Sequence, residues 1–492
     1  MLRQLFRNTI PPIVEEALGW NITGSMATPW LSIAFLVALE IGFGLVLAKF
    51  ISNGAWLYAL VLVLLVPAAI LFYKNPFTVF IIWLLATPFL MTTTTSQLRM
   101  LYWLVYRALP PLAVCATLIA NQLRPANNRL RFRLGLDSLV MVIFLGWVVL
   151  NIYWYHPSDY LPYLYLLYDM TFVPFCLYWW IRFAAPVEQD LKRLVPGAFI
   201  LVLFEVAVGL LSWLEPGMLP RAWVGYASNR TIGTLGYYTT YSLTLVFFSL
   251  LLFQAAMHQK SRTARLALLC AAGIGAAGVL FSFSRGCWLG GVAAGVGLFF
   301  LYPKPVLRLA AVLLIVIAIL GSTVLYKQLT YADQRLNSEE TAVVRLLVWD
   351  AGLQMIQHKP FWGWGYGDYR LYAGLFQRKV ADVMSIQEQA YASHNAFISI
   401  AAELGVPGLL LYLFPAMWWL AISIKRRQQL PQAGFLSRKL LIIFWLVILA
   451  FSTTSFFSDI RVSPYALSLW WVSLGLIATL VEPFRLIDGQ RS

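Results

Sequence analysis

The sequence predicts an all-α polytopic membrane protein of about 14 (12–14) transmembrane helices, with both termini cytoplasmic and one large extracytoplasmic loop that itself contains helices. Three observations predict it. Of the 492 residues, 60% are hydrophobic and only 12% charged, whereas soluble proteins carry about 25% charged residues; lipid, not water, must cover most of the surface. Apolar runs of the length a bilayer core of about 30 Å demands recur from residue 30 to residue 482, with one long polar interruption. The positive charges fall on alternate sides of those runs.

The elements follow in order. Residues 1–28 read as a cytoplasmic segment, because Arg3 and Arg7 are followed by Glu15, Glu16 and two prolines with no uninterrupted apolar stretch and no small-residue cleavage site; no cleaved signal peptide is expected. Candidate spans lie near 30–49, 56–73, 76–92, 107–121, 136–153, 164–182, 194–214, 237–256, 266–283, 286–302 and 307–325, filling a block of residues 29–325. The fourth is interrupted by Pro110 and Pro111. A loop of residues 326–405 follows, then spans near 406–424, 439–457 and 464–482, and a cytoplasmic tail of residues 483–492.

Lys and Arg total 36 against 21 Asp and Glu, a formal +15. In a membrane protein this excess points first to cytoplasmic loops and anionic lipid, not to nucleic acid. With the N-terminus inside, 22 of the 36 fall on the cytoplasmic side. Only Lys49, Arg99, Arg107, Arg221, Arg230, Arg285 and Arg461 fall in short outer loops, and the long loop, largely exempt from the rule, holds the rest. An arginine kept outside against this bias needs another reason to be there. Cys115, Cys176, Cys270 and Cys287 stand far apart in or beside apolar runs and read as buried thiols, neither disulfides nor metal ligands.

Topology places His258 inside and His156, His358 and His394 outside. His358 ends a helical pattern just before Lys359-Pro360, where a cation suits a helix C-terminus. His394 lies in Tyr391-Ala-Ser-His-Asn395, at or next to a helix N-terminus, which disfavours imidazolium and keeps the ring in the neutral form a general base needs. The alternative is that Ser393, His394 and Asn395 serve only as caps. Residues 341–358 read as an amphipathic helix with Leu346, Trp349, Leu353 and Ile356 along one stripe, and Arg345 is placed to stack on Trp349. In Pro360-Phe-Trp-Gly-Trp-Gly-Tyr-Gly-Asp368 glycines alternate with aromatics, but no G-x-x-x-x-G-K-[ST] pattern exists; an aromatic, glycine-bent loop at the membrane interface is expected.

Arg285, in a tight turn between apolar helices, is costly unless it meets the protein interior, water or an anion. Arg230 lies at the outer start of another span. Guanidinium binds phosphate oxygens bidentately, so Arg230, Arg285 and Arg345 are candidates to converge on one diphosphate, with a structural salt bridge the alternative for each. Glu40, Asp169 and Glu205 fall inside spans, where carboxylates mark proton or ion paths. No nucleotide motif and no His/Cys cluster is present, so neither a cofactor nor a metal is expected.

Ser284-Arg285-Gly286 with Trp288-Leu289-Gly290, Arg345-x-x-x-Trp349, Pro360-x-x-Gly363-x-Gly365-x-Gly367, His394-Asn395 and Glu403-Leu-Gly405-x-x-Gly408 together resemble the O-antigen ligase and polymerase family, over roughly residues 228–425. The resemblance implies a bacterial inner-membrane glycosyltransferase, active on the periplasmic face, whose donor is a glycan on undecaprenyl diphosphate. The acceptor is then lipid A-core, a lipid-linked repeat unit or another glycan, giving lipopolysaccharide or exopolysaccharide. It further implies that outer arginines, matched here by Arg285, Arg345 and less closely Arg230, hold the diphosphate. His394 would take the acceptor proton, with Asn395, Trp349 and Glu403 supporting. Where the family carries an Asn-rich segment after the first arginine, this chain has Gly236-Tyr-Tyr-Thr-Thr240. The rival expectation is a bicarbonate-like solute transporter depending on Glu40, Asp169 and Glu205.

Overall fold

In the computed structural model, residues 70–92, 96–123, 135–225, 230–321, 340–376 and 393–483 are described, together with isolated positions outside these stretches. These residues form helices: α1 Pro76–Leu90, α2 Arg99–Leu123, α3 Leu136–Tyr155, α4 Leu161–Ala184, α5 Glu188–Leu214, α6 Tyr238–Met257, α7 Arg262–Leu280, α8 Arg285–Leu301, α9 Pro303–Gly321, α10 Glu340–His358, α11 Tyr369–Phe376, α12 Ala396–Arg426, α13 Arg438–Ser455 and α14 Pro464–Val481. Each expected span from 76–92 onward coincides with a helix; those at 30–49 and 56–73 lie almost wholly outside the described residues. Among the described residues nine helices are long and apolar enough to cross a membrane, with α1 and α8 shorter apolar helices.

Local signals explain many boundaries. Asn75 caps α1 by accepting from the Thr78 N–H at 3.1 Å, and Pro76 fills the first helical position, where its missing N–H costs nothing. Ser261 caps α7 through the Ala264 N–H. Pro110 and Pro111 do not end α2 as the interrupted pattern suggested. A π-helical turn, Trp103–Ala108, precedes them, and the Tyr168 hydroxyl donates to the Arg107 carbonyl at 2.8 Å, replacing the N–H that Pro111 lacks.

α6 and α14 are almost wholly buried, and α4, α5, α7, α8, α12 and α13 pack against one or both of them. The outer faces are apolar instead of charged: Phe300, Leu314 and Ile200 are 78%, 68% and 65% exposed, the pattern of a lipid-facing surface. Cys115 and Cys270 also face outward, while Cys176 and Cys287 are buried; a thiol on an apolar lipid-facing helix needs no protein cover. α12 begins ten residues earlier than the expected span at 406, and its backbone leaves helical geometry at Gly405 (φ +74).

The stripe expected on α10 is also displaced. Val348, Ala351 and Met355 are buried, whereas Leu346 and Leu353 are exposed. Ala351 and Gly352 are small enough to let α11 approach: a methyl on Gly352 would meet Ile398 and the Tyr369 hydroxyl. The larger leucines are left exposed.

Candidate functional site

The helix break at Gly405 organises the site. Breaking a helix frees carbonyls on its N-terminal side and N–H groups on its C-terminal side, and buried backbone groups need partners. The 360–367 loop supplies them. The N–H groups of Trp364 and Gly365 donate to the carbonyls of Ala402 and Glu403 at 2.9 and 3.1 Å, the Val406 N–H donates to the Pro360 carbonyl at 2.7 Å, and the Trp147 indole donates to the Leu404 carbonyl at 3.0 Å. Gly363, at φ +73, lies so close that a Cβ would run into the Glu403 backbone. The Trp364 and Gly365 N–H groups are thus committed to α12, as befits a structural aromatic loop and not a phosphate cradle. α3 fixes the loop from the other side: Asn151 donates to the Trp362 carbonyl and accepts from the Tyr366 N–H, both at 2.8 Å, and the Tyr155 hydroxyl donates to the Gly363 carbonyl at 2.6 Å.

His394 immediately precedes α12. Asn395 is the cap, its side chain accepting from the Phe397 and Ile398 N–H groups at 3.0 Å each. Ser393 braces the turn, donating to the Asn395 carbonyl at 2.9 Å and sharing a short contact with the Ser399 hydroxyl. Capping therefore uses Asn395 and Ser393 and leaves the His394 ring with no hydrogen bond among the described residues. His394 adopts a left-handed backbone, φ +50, uncommon outside glycine. Burial, then the charges of Arg345 and Arg370, hold its pKa below the usual histidine value, with Asp459 acting in the opposite sense.

The Trp349 indole N–H donates to the Ser393 carbonyl at 3.1 Å, and its ring lies 6.2 Å from that of Phe457. Phe457 in turn abuts Gly286, where an added Cβ would meet its side chain. Through Phe457 the start of α8 reaches the histidine turn. Arg285 is the first residue of α8, after Ser284, whose side chain does not cap the helix. Arg230 lies near the end of the preceding helix, α7. The neighbouring Thr231 N–H donates to the Phe281 carbonyl at 3.2 Å. The Arg230 guanidinium stands 4.5 Å from the centre of the Tyr238 ring, with its Nε buried and unpartnered. Thr231 thus ties the Arg230 segment to the end of α7, and Phe457 lies between Gly286 and Trp349, whose indole reaches the turn that carries His394.

Glu403 is paired. Arg461 Nη1 stands 2.8 Å from Glu403 Oε2, while Arg461 Nη2 and Nε reach the Asp459 carboxylate at 2.7 and 3.0 Å. Burial alone would raise the Asp459 pKa, but Arg461 outweighs it and holds the carboxyl below its usual range. Sequence reasoning missed Asp459, Arg461 and Arg370 as site residues. The bias against outer cations had already marked Arg461, and the acid two positions before it was the available signal; Arg370, inside the exempt long loop, carried none.

The other candidates have local partners. His358 and His258 bond the carbonyls four residues before them, and His156 Nε2 lies 2.7 Å from Asp368. Asp169 is held by Arg107, with Nε 2.7 Å from Oδ1, and Glu205 accepts from the Thr234 N–H at 3.1 Å and from its hydroxyl. Glu40 lies outside the described residues. No group of three or more His, Cys, Asp or Glu side chains suited to a metal occurs among the described residues.

Residues 270–413 match the family model described as O-Antigen ligase. The match covers α8, α10, the aromatic loop, His394 and the Gly405 break, and it supports the O-antigen ligase family for this chain. At family level it supports a membrane glycan-transfer enzyme of the ligase or polymerase type, and it gives the transporter reading no support. No curated protein matches the chain.

Proposed function

We propose that the protein is an inner-membrane glycosyltransferase that moves a glycan from an undecaprenyl diphosphate carrier to an acceptor hydroxyl on the periplasmic face. The observation that carries this reading is His394: an imidazole kept neutral by burial and two arginines, left out of the capping network, inside the stretch that matches the family.

In the reaction, His394 takes the proton of the acceptor hydroxyl as its oxygen bonds to the anomeric carbon of the donor. The bond from that carbon to the diphosphate breaks, and the diphosphate leaves with the electron pair. Arg285, Arg345 and Arg230 stabilise the departing charge, a role that fixed guanidinium groups fill without solvent reorganisation. The activated donor supplies the energy, in keeping with a site outside the cytoplasm. Asn395, Trp349 and Glu403 hold the histidine turn. Lipid A-core as acceptor makes the protein a ligase; a lipid-linked repeat unit makes it a polymerase.

Deleting the gene and separating lipopolysaccharide on a gel tests the reading. Loss of the whole ladder indicates ligation, collapse to a single repeat indicates polymerisation, and an unchanged profile of lipopolysaccharide and exopolysaccharide rejects both.

A further inference from the structure

Arg230 and Tyr238 are eight residues apart in the chain, and the segment between them is a closed turn that brings their side chains together. Gly233 and Gly236 take left-handed backbone, φ +57 and +70, which lets the chain reverse without a side-chain clash. Between them Thr234 is fastened from two sides. Its N–H, at 3.1 Å, and its hydroxyl donate to the Glu205 carboxylate. Its carbonyl accepts from the Thr92 hydroxyl at 3.0 Å, and that hydroxyl accepts from the Trp223 indole, also at 3.0 Å. A methyl group on Gly233 would run into Glu205 Oε2 and the Tyr241 ring, so the turn closes directly onto the carboxylate. Glu205, whose place inside a span suggested an ion path, fastens the segment that carries Arg230.

The turn delivers the Arg230 guanidinium to the Tyr238 ring, 4.5 Å from its centre. Tyr238 is itself fixed. It opens α6, its ring lies 4.4 Å from that of Tyr237, and its hydroxyl accepts from the Tyr237 hydroxyl at 3.2 Å.

An aromatic face attracts a guanidinium through its quadrupole, so it orients the group and leaves the charge and the in-plane N–H donors available. A carboxylate partner cancels the charge and occupies the donors. Arg107 and Arg461 are held in that second way, by Asp169 and by Glu403 with Asp459. Among the described residues Arg230 has no carboxylate partner, and its buried Nε has no hydrogen-bond partner. A buried donor left unpaired is costly, and a bound acceptor group would remove that cost.

We propose that Tyr238 is a positioning residue for donor binding, its ring holding the Arg230 guanidinium oriented and unneutralised for the diphosphate of the lipid-linked donor. The proposal rests on the reading of Arg230 as a diphosphate ligand given above.

The test uses the full-length protein in lipid vesicles, with undecaprenyl diphosphate-linked glycan as the varied donor and glycolipid acceptor at saturation. It changes the electrons of the ring while keeping its shape. Fluorine withdraws electron density from an aromatic face and weakens its hold on a cation, so the series is Tyr238→Phe followed by mono-, di- and trifluorinated phenylalanine at position 238. Tyr238→Phe is expected to retain most of the donor affinity, and the donor KM then rises with each fluorine, by about 3- to 30-fold over the series. Acceptor KM and melting temperature stay constant. In an Arg230→Gln background the donor KM starts high and the rise disappears. A donor KM that is flat across the series, a rise that persists in the Arg230→Gln background, a change in acceptor KM instead, or an inactive Tyr238→Phe protein overturns the proposal. Arg230→Gln with an unaltered donor KM rejects the diphosphate reading of Arg230 and the proposal with it. A raised donor KM in Arg230→Gln beside a flat fluorine series overturns the role of Tyr238 alone.

Discussion

Arg461 Nη1 and Glu403 Oε2 meet at 2.8 Å, two residues before the backbone break at Gly405, with side chains only 14% and 3% exposed. The same guanidinium grips Asp459, so one cation joins the α13–α14 connection to the helix that starts beside His394. Removing one member of a buried ion pair strands its partner's charge and costs about 3–5 kcal/mol. Arg461→Met is therefore expected to lower the melting temperature of the detergent-solubilised protein sharply and to abolish transfer. Glu403→Gln in the same chain should recover part of the stability, since one stranded charge is gone. An unchanged melting temperature for Arg461→Met would show that the triad does not hold the turn.

Gly405 separates backbone conformation from crowding. At φ +74 a side chain costs about 1–2 kcal/mol, and a Cβ there would also collide with the Phe361 carbonyl. Gly434, at φ +97, has nothing within 4 Å of an added Cβ. Gly405→Ala should thus destabilise the protein clearly more than Gly434→Ala, measured by thermal unfolding in one detergent. Equal losses would mean that the aromatic loop is not packed against the break.

The glycine spacing shows what was readable in the sequence and what was not. Composition and apolar run length led directly to helices at the expected places from residue 76 onward, because lipid burial leaves no other way to satisfy the backbone. The motifs around Gly363, Gly365 and Gly405 were visible as separate signals, yet their common cause, one loop completing the hydrogen bonds of one broken helix, joins residues some forty positions apart and leaves no local pattern. The buried face of α10 was misread for a related reason. Hydrophobic periodicity ranks leucine above alanine and glycine, while close helix approach selects the small residues. In a membrane protein, moreover, an exposed leucine carries no penalty. Arg370 and the link from the Asp459–Arg461 pair to Glu403 were hidden because charge proximity across elements depends on the tertiary fold alone.

The arginines are expected to separate from the histidine in steady-state kinetics. If Arg285 and Arg345 bind the diphosphate, Arg285→Gln and Arg345→Gln should raise the donor KM and lower kcat together, because the charge they meet grows as the bond breaks. Acceptor KM should move little. Assays with varied lipid-linked donor would show this, and a defect confined to the acceptor would assign these residues to the other substrate.

His394→Ala is expected to reduce transfer about 10²- to 10⁴-fold, the usual contribution of a general base, and the pH profile offers a sharper test. A base works only while unprotonated. Burial together with Arg345 and Arg370 pushes the His394 pKa below its ordinary 6.5, so the neutral ring persists as pH falls, and the acid limb of kcat/KM should lie below pH 6.5. Each neighbour then has a signed effect. Arg370→Gln removes a charge that opposes protonation, so the limb should move to higher pH. Asp459→Asn removes the charge that favours protonation, so the limb should move lower, provided that the Arg461 cluster stays folded, which the melting temperature reports. Opposite displacements in these two variants, measured at saturating donor, would tie the limb to His394. Displacements in the same direction, or a limb that survives in His394→Ala at its original position, would assign the titration to another group.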